Sequence, residues 1–420
     1  MTTAADGHAS QERSLRHEEA IALLKALIAK GERHEALSVF AATGRVCAEF
    51  VKAPRAIPAH TNAAVDGYAF AFDDYDAKTG TLFPIAGRAA AGAPLEKTGA
   101  ARGAVRIFTG AVMPQGCDTA AMQEECRRAE FEASVFIPPG LKKGANRRLA
   151  GEDVAAGDTV VAPGDRLRPQ DIAALAACGR GEVFCFRKPR IAIFSTGNEV
   201  LPHGALFREG QVYDANGPML SGLFAPLAAD ISYNGILPDD RRAVIEALEA
   251  AALRYDAIVT SGGASLGDED HVVWALRHVH SLNLWRPAIK PGRPMGVGKV
   301  GSCFCFALPG NPVAAMICAL LYVWPSIRRL GGEAWIEPMR LPLPAGFEIR
   351  ARKMGRREFL RGWLEDEGGA IVVRKYASDG SGLISSLRAA SGMIEISEDR
   401  PGVSPGEIVN FIPLSAFGLW

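Results

Sequence analysis

The sequence contains no C-x-x-C pair, no histidine spacing that would complete a zinc site, and no apolar run of membrane-spanning length. Each absence removes a class of protein. The eight cysteines, Cys47, Cys117, Cys126, Cys178, Cys185, Cys303, Cys305 and Cys318, are scattered, so a metal–thiolate centre is not expected. Cys303 and Cys305 alternate with Phe304 and Phe306 and read as strand core. The most apolar run, Val313 to Trp324, lies between Pro312 and Pro325, shorter than the roughly 20 residues a bilayer requires. The opening "MTTAADGHASQERSLRHEE" lacks an apolar stretch, so no signal peptide and no membrane partner are expected. A cytoplasmic, thiol-reducing location follows by elimination. Forty-seven basic residues balance 47 acidic ones, which gives no broad footprint for nucleic acid. There is no internal repeat and no low-complexity tract.

What is present describes a large globular chain. Its 420 residues are 48% hydrophobic and 22% charged, enough for about three domains. "HEEAIALLKALIAKG" places Ile21, Leu24, Leu27 and Ile28 at helical spacing. "RPQDIAALAACGRGEV" starts a helix at Pro169 and ends it at Gly179. Residues 13–52 and 151–187 are therefore read as one discontinuous helical segment. Between them, residues 53–150 are short apolar runs broken by Gly and Pro, expected to form an inserted β-rich domain. Residues 188–333 alternate strand and helix patterns: "RIAIFSTG", "DANGPMLSGLF", "DISYNGILPDD", "RRAVIEALEAAALRYD", "DAIVTSGG", "EDHVVWALRHV" and "SCFCFALPGNP". That alternation predicts a doubly wound parallel sheet. Residues 334–420 show period-two segments such as "FEIRAR", "GAIVVRKY" and "EIVNFIPL", predicting a small antiparallel barrel. The fold class is α/β and multidomain.

In an open parallel sheet, ligands bind beyond the carboxyl ends of the strands. Ser195, Thr196, Gly197 and Glu199 follow the first strand, and Asp239 and Asp240 follow the second. Ser261, Gly262, Gly263, Gly267 and Asp270 follow the third; Pro309, Gly310, Asn311 and Pro312 follow the last. These clusters are expected to meet at one rim. Glycines permit close backbone approach to an anion, and helix starts present N–H groups to it. Two carboxylates about 4 Å apart repel by about 4 kcal/mol at an effective dielectric near 20. Glu199, Asp239 and Asp270 together would thus need a cation, and Mg²⁺ with phosphate alongside suits an all-oxygen set. Asp268 and Glu269 are expected to favour a helix start. Arg286, Lys290 and Arg293 in "WRPAIKPGRP" supply the basic counterpart. His271, His278 and His280 are assigned surface or packing roles.

Further motifs are modest alone. "NAAVDGYAF" puts Asp66 in a tight turn, and "RIFTGAVMP" ends a strand at Thr109. "ANRRLAGEDV" offers Arg148 and Asp153, for substrate or for an exposed salt-bridged loop. Together with "IFSTGNEV", "YDANGPML", "TSGGASLGDED", "AIKPGRP", "LPGNPV" and "GRREFLRG", they run in order through nearly the whole chain. In this set the sequence resembles the molybdopterin molybdenumtransferase family, the MoeA-like enzymes that include the E domain of gephyrin.

The resemblance implies an elongated homodimer whose site joins the α/β domain of one subunit to the β-rich domain of the other. It implies insertion of molybdate into adenylylated molybdopterin with Mg²⁺, releasing AMP, with a molybdopterin adenylyltransferase as partner. On it, Glu199, Asp239 and Asp270 hold the metal, Asp66 and Thr109 act across the dimer, and Lys290, Arg293 and Ser261 meet molybdate. Ala63 stands where many relatives carry Ser, and Arg293 where Lys is usual. Two alternatives remain at this point, a molybdopterin adenylyltransferase and a non-catalytic molybdopterin-binding scaffold.

Overall fold

A computed structural model describes residues 14–95, 103–128, 133–264 and 270–419. Helix α1 (His17–Leu27) buries Ile21 and Leu24 of the stripe its spacing predicts, together with Ala20; Leu27 is partly buried, and Ile28, buried too, caps the helix. These side chains pack into the largest core together with Tyr322 and Phe359. Helix α2 (Pro169–Ala177) opens with Pro169 in its first turn, and Gly179 follows it with φ +78. The segment read as helical also carries strands. His34–Ser38 pairs antiparallel with Glu182–Phe186, because Val183 and Cys185 point into a core while Glu182 and Phe184 do not. Val51–Lys52 similarly pairs with Thr159–Val161.

The inserted segment is a six-stranded sheet with Ala104–Ile107 and Thr81–Ala89 at its centre. The C-terminal region forms a second such sheet around Arg357–Glu367. Of the three C-terminal segments read as strands, "FEIRAR" makes only the bridge Ile349–Val403. A short helix, Ile384–Ala389, stands where none was read.

The α/β domain carries a third six-stranded sheet. Asp230–Leu237, Arg190–Thr196, Ala257–Ser261 and Cys303–Leu308 lie parallel in that spatial order. Gly296–Val300 and Ser281–Trp285 then extend the edge antiparallel, so the sheet is mixed at that side. Helices α3 (Asn216–Phe224), α4 (Arg241–Ala252), α5 (His271–His278), α6 (Pro312–Cys318) and α7 (Trp324–Leu330) cover its faces. Leu220, Phe224 and Ile317 face one core, Val244, Leu248 and Leu276 the other. Each face receives its own apolar stripe, as a doubly wound sheet requires.

Pro325 does not end the last helix. A π turn over Ala319–Val323 links α6 to α7, and the Ser326 hydroxyl donates to Tyr322 O at 2.5 Å. Pro325 stands in the first turn of α7, where a missing N–H costs least. The continuous helix Pro312–Leu330 has 19 residues and is apolar and long enough to cross a membrane, which corrects the shorter reading of this run. Its most apolar window is 78% buried inside the protein, the environment of a core helix.

Candidate functional site

The carboxyl ends of the parallel strands open into a cavity of about 680 Å³. Its wall contains Ser195, Thr196, Gly197 and Glu199 from the first strand–helix junction, and Asp239 from the second. Ser261, Gly262, Gly263 and Asp270 come from the third junction, and Pro309, Gly310, Asn311 and Pro312 from the last. The structure thus gathers the four rim clusters around one space. Gly267, Asp268 and Glu269 lie outside the described residues.

Two glycines are dictated by close approach. Gly262 has φ +101, and a Cβ there would sit 2.2 Å from Thr196 Oγ1. At Gly197, φ is +129 and a Cβ would meet the Glu199 carboxylate at 2.3 Å. Only glycine lets these loops nest.

The two adjacent aspartates separate by role. Asp240 is the N-cap of α4, its carboxylate accepting the Ala243 N–H at 2.7 Å. Asp239 faces the cavity, with Oδ2 accepting the Asn198 N–H at 2.8 Å. The reciprocal bond from Asp239 N–H to Asn198 Oδ1 fixes that loop at 3.2 Å.

Four residues that the sequence did not single out complete the wall. Asn216 is 8% exposed; its amide donates to Ser261 Oγ and to Gly310 O, both at 2.7 Å. One side chain therefore ties the start of α3 to two glycine-bearing loops. Asp214 accepts the N–H groups of Asn216 and Gly217 at 3.1 and 3.0 Å, and the Tyr233 hydroxyl at 2.6 Å. Burial, then that bond, pushes Tyr233 up to about 12. Gly382 and Ile384 reach the cavity from the C-terminal domain. The loop bearing them is held by Arg361, which donates to Ser378 O at 2.9 Å, Gly380 O at 3.0 Å and Ser386 Oγ at 3.0 Å. Asn311 Nδ2 reaches Ser381 Oγ on the same loop at 3.1 Å.

The basic loop is placed differently. Pro294 lines the cavity, whereas Arg286, Lys290 and Arg293 are not in its wall. Ile289–Lys290 joins the C-terminal sheet beside Arg357–Glu358, and Lys290 Nζ lies 3.4 Å from the buried Glu358 carboxylate. Burial, then the charges of Arg293 and Arg277, holds Arg286 below its ordinary value.

Asp66 and Thr109 lie on the inserted domain and meet each other. Asp66 Oδ1 accepts the Thr109 N–H and hydroxyl, both at 2.8 Å. The backbone donor first and the hydroxyl second hold Asp66 below its ordinary value. Arg147–Arg148 pairs with Asn62–Ala63 in the same region. Arg148 and Asp153 are exposed, and the neighbouring Glu152 accepts the Leu149 N–H at 2.7 Å, a local turn bond.

Among the described residues, no three His, Cys, Asp or Glu side chains lie close enough to hold a metal by themselves. Glu199, Asp239 and Asp270 share the cavity without forming a closed protein cage.

Comparison with known proteins accounts for nearly the whole chain. Residues 15–179 match the MoeA N-terminal region (domains I and II). Residues 192–329 match a probable molybdopterin binding domain, and residues 344–414 the MoeA C-terminal region (domain IV). A molybdopterin molybdenumtransferase of Haemophilus influenzae is 34% identical over 383 residues, covering 91% of this chain and 94% of that protein. One from Nostoc is 31% identical, covering 90% and 88%. The solved molybdopterin biosynthesis MoeA protein of Pyrococcus horikoshii superposes with a TM-score of 0.82 at 28% identity, over 96% of this chain and 100% of that one.

Proposed function

This chain belongs to the molybdopterin molybdenumtransferase family and is a transferase of molybdenum cofactor biosynthesis; from that premise we propose how its site operates. The substrate is adenylylated molybdopterin, the second reactant is molybdate, and the products are molybdenum cofactor and AMP. The observation that carries this reading is the 680 Å³ cavity at the strand ends, whose wall combines glycine-rich backbone with Glu199, Asp239 and Asp270. Matches that extend to both terminal regions disfavour an adenylyltransferase or a bare binding scaffold.

In this reading the Ser195–Gly197, Ser261–Gly263 and Pro309–Pro312 loops bind the substrate's phosphates through backbone N–H groups. Asn216 holds two of these loops at a fixed separation, which keeps the reacting ends aligned. Mg²⁺ would be held by Glu199, Asp239 and Asp270 and would supply charge neutralisation at the phosphates. Lys290 and Arg293 attract molybdate, with Ser261 as a further contact; Lys290 is partly exposed and exchanges Glu358 for the anion. Asp66 and Thr109 act from the second subunit of a homodimer, with Arg148 and Asp153 beside them. A molybdopterin adenylyltransferase supplies the substrate. A cytoplasmic location suits the eight free thiols.

The test is complementation. Asp66→Ala and Asp239→Ala chains carrying different tags are co-expressed, and mixed dimers are isolated by sequential purification. Each single-variant dimer should lose molybdate-dependent AMP release. A two-fold dimer with one intact composite site should recover about half of wild-type turnover. A mixed species as inactive as its parents would refute the shared site.

A further inference from the structure

Cys47 precedes the inserted domain and Cys185 follows it, and the two face each other in the small core that the flanking segments build. Cys47 and Cys185 are bridge partners on antiparallel segments. The Phe186 N–H donates to Val46 O and the Ala48 N–H to Phe184 O, both at 2.8 Å. Those bonds flank the cysteines and leave them as a non-hydrogen-bonded pair. In such pairs the Cα atoms are about 4.5 Å apart and the side chains lean toward one another. A disulfide requires Cα atoms roughly 4.4–6.8 Å apart, which a pair of this type meets; the Cys47 thiol, which donates to Glu49 O at 3.2 Å, gives up that bond when it turns to Cys185. The backbone of Cys47 is fixed from its other side as well: its N–H reaches Asp165 O and its carbonyl takes the Gly164 N–H, each at 2.8 Å. Both side chains enter the same small core, beside Val39, Val183 and Leu175. The other six cysteines form no bridge pair of this kind among the described residues.

We propose that Cys47 and Cys185 are a reversible disulfide site that cross-links the two segments flanking the inserted domain when the protein meets a thiol oxidant. With glutathione disulfide as oxidant, one cysteine thiolate attacks a sulfur of the small disulfide and expels a glutathione thiolate. The second cysteine then attacks the protein sulfur of the mixed disulfide and expels the second glutathione. One protein S–S bond forms, the oxidant's S–S bond breaks, and the two cysteine protons end on two glutathione thiols. Burial pushes the Cys185 thiol up to about 11 and raises Cys47 as well. Both cysteines are also 0% exposed, so the reduced pair is quiet, and glutathione disulfide reaches it only when this small core opens transiently. The cross-link closes a loop containing the whole inserted sheet, which constrains the unfolded chain.

The experiment uses the full chain equilibrated over a series of glutathione disulfide to glutathione ratios, acid-quenched, denatured and alkylated. The expected oxidised form is lighter by two hydrogens, with two of its eight thiols protected. Peptide mapping should join the Cys47 and Cys185 peptides. The form should run faster on a non-reducing gel and melt at a higher temperature than the reduced protein. Cys47→Ser should abolish the cross-link. Complete alkylation at the most oxidising ratio, stable glutathione adducts without a cross-link, or a cross-link between other cysteines would each overturn the proposal. So would loss of two hydrogens persisting in Cys47→Ser.

Discussion

At the carboxyl rim of the sheet, a cavity of about 680 Å³ is walled largely by loop backbone, glycine and small polar side chains. At the seam between α1 and the C-terminal domain, a cavity of about 350 Å³ is walled by His17, Glu18, Lys25, Glu337, Arg340, Arg357 and Glu395. The seam has the greater density of charge, and its charges satisfy one another. Arg340 pairs with Glu395 at 2.7 Å, and Arg357 reaches Glu395 at 3.1 Å and Glu398 at 2.9 Å. These partners hold both glutamates below their ordinary range against the opposing effect of burial. Perturbed ionisation often marks function. Here it marks a joint, whereas the binding site is recognised by backbone shaped around open space.

The largest expected effect breaks the rim. Gly262→Ala asks the backbone to hold φ +101 with a Cβ 2.2 Å from Thr196 Oγ1. The left-handed conformation alone costs about 1–3 kcal/mol. A displacement of about 1 Å in the cradle costs about 100-fold in rate. Molybdate-dependent AMP release should therefore fall by about 100-fold while urea unfolding remains cooperative. Near-normal turnover would show that this loop does not shape the reacting geometry.

The seam should instead answer to pH. Burial first, and the Arg357 charge second, pushes His17 down to about 4 from an ordinary 6.5. Its Nδ1 lies 2.9 Å from the Tyr322 hydroxyl, deep in the main core. Between pH 6.5 and 4 the unfolded chain binds a proton that the folded chain refuses. This contribution is full above 6.5 and is lost as pH falls through the window, by about 3 kcal/mol at its lower end. The depressed glutamates Glu395 and Glu398 act further down, losing their stabilisation below their ordinary 4.5. Urea midpoints at pH 7, 6 and 5 should decline in the wild type and decline less in His17→Phe. Equal slopes in the two proteins would remove His17 from this account.

The same contrast explains what the sequence could reveal. Ser195, Gly197, Ser261 and Pro309 were legible because strand periodicity fixes where each strand ends, and topology brings those ends to one side. Asn216 was not, since its value lies in two bonds to loops far along the chain. Gly382 and Ile384 come from another domain, and no local pattern announces that contact. Lys290 was legible as a cation but not as the partner of Glu358, whose strand it joins. In the segments flanking the inserted domain, the short strand His34–Ser38 escaped because its alternation has meaning only beside Glu182–Phe186. Pro325 misled in the other direction, for the π turn that accommodates it leaves no mark in the helical period.

The smallest expected effect sharpens the comparison to two adjacent residues. Asp240 closes the first turn of α4 by accepting the Ala243 N–H at 2.7 Å, whereas Asp239 faces the cavity. Losing an N-cap costs about 1 kcal/mol, so Asp240→Ala should lower the urea midpoint modestly and leave AMP release per folded molecule unchanged. The proposed site makes the opposite demand of Asp239, whose replacement by Ala should stop turnover at little cost to stability. If Asp240→Ala instead reduces turnover as much as Asp239→Ala, the carboxylate assignment at this rim must move by one residue. The bond pattern argues against that outcome, because a cap oxygen already committed to a helix N–H is turned away from the space its neighbour faces.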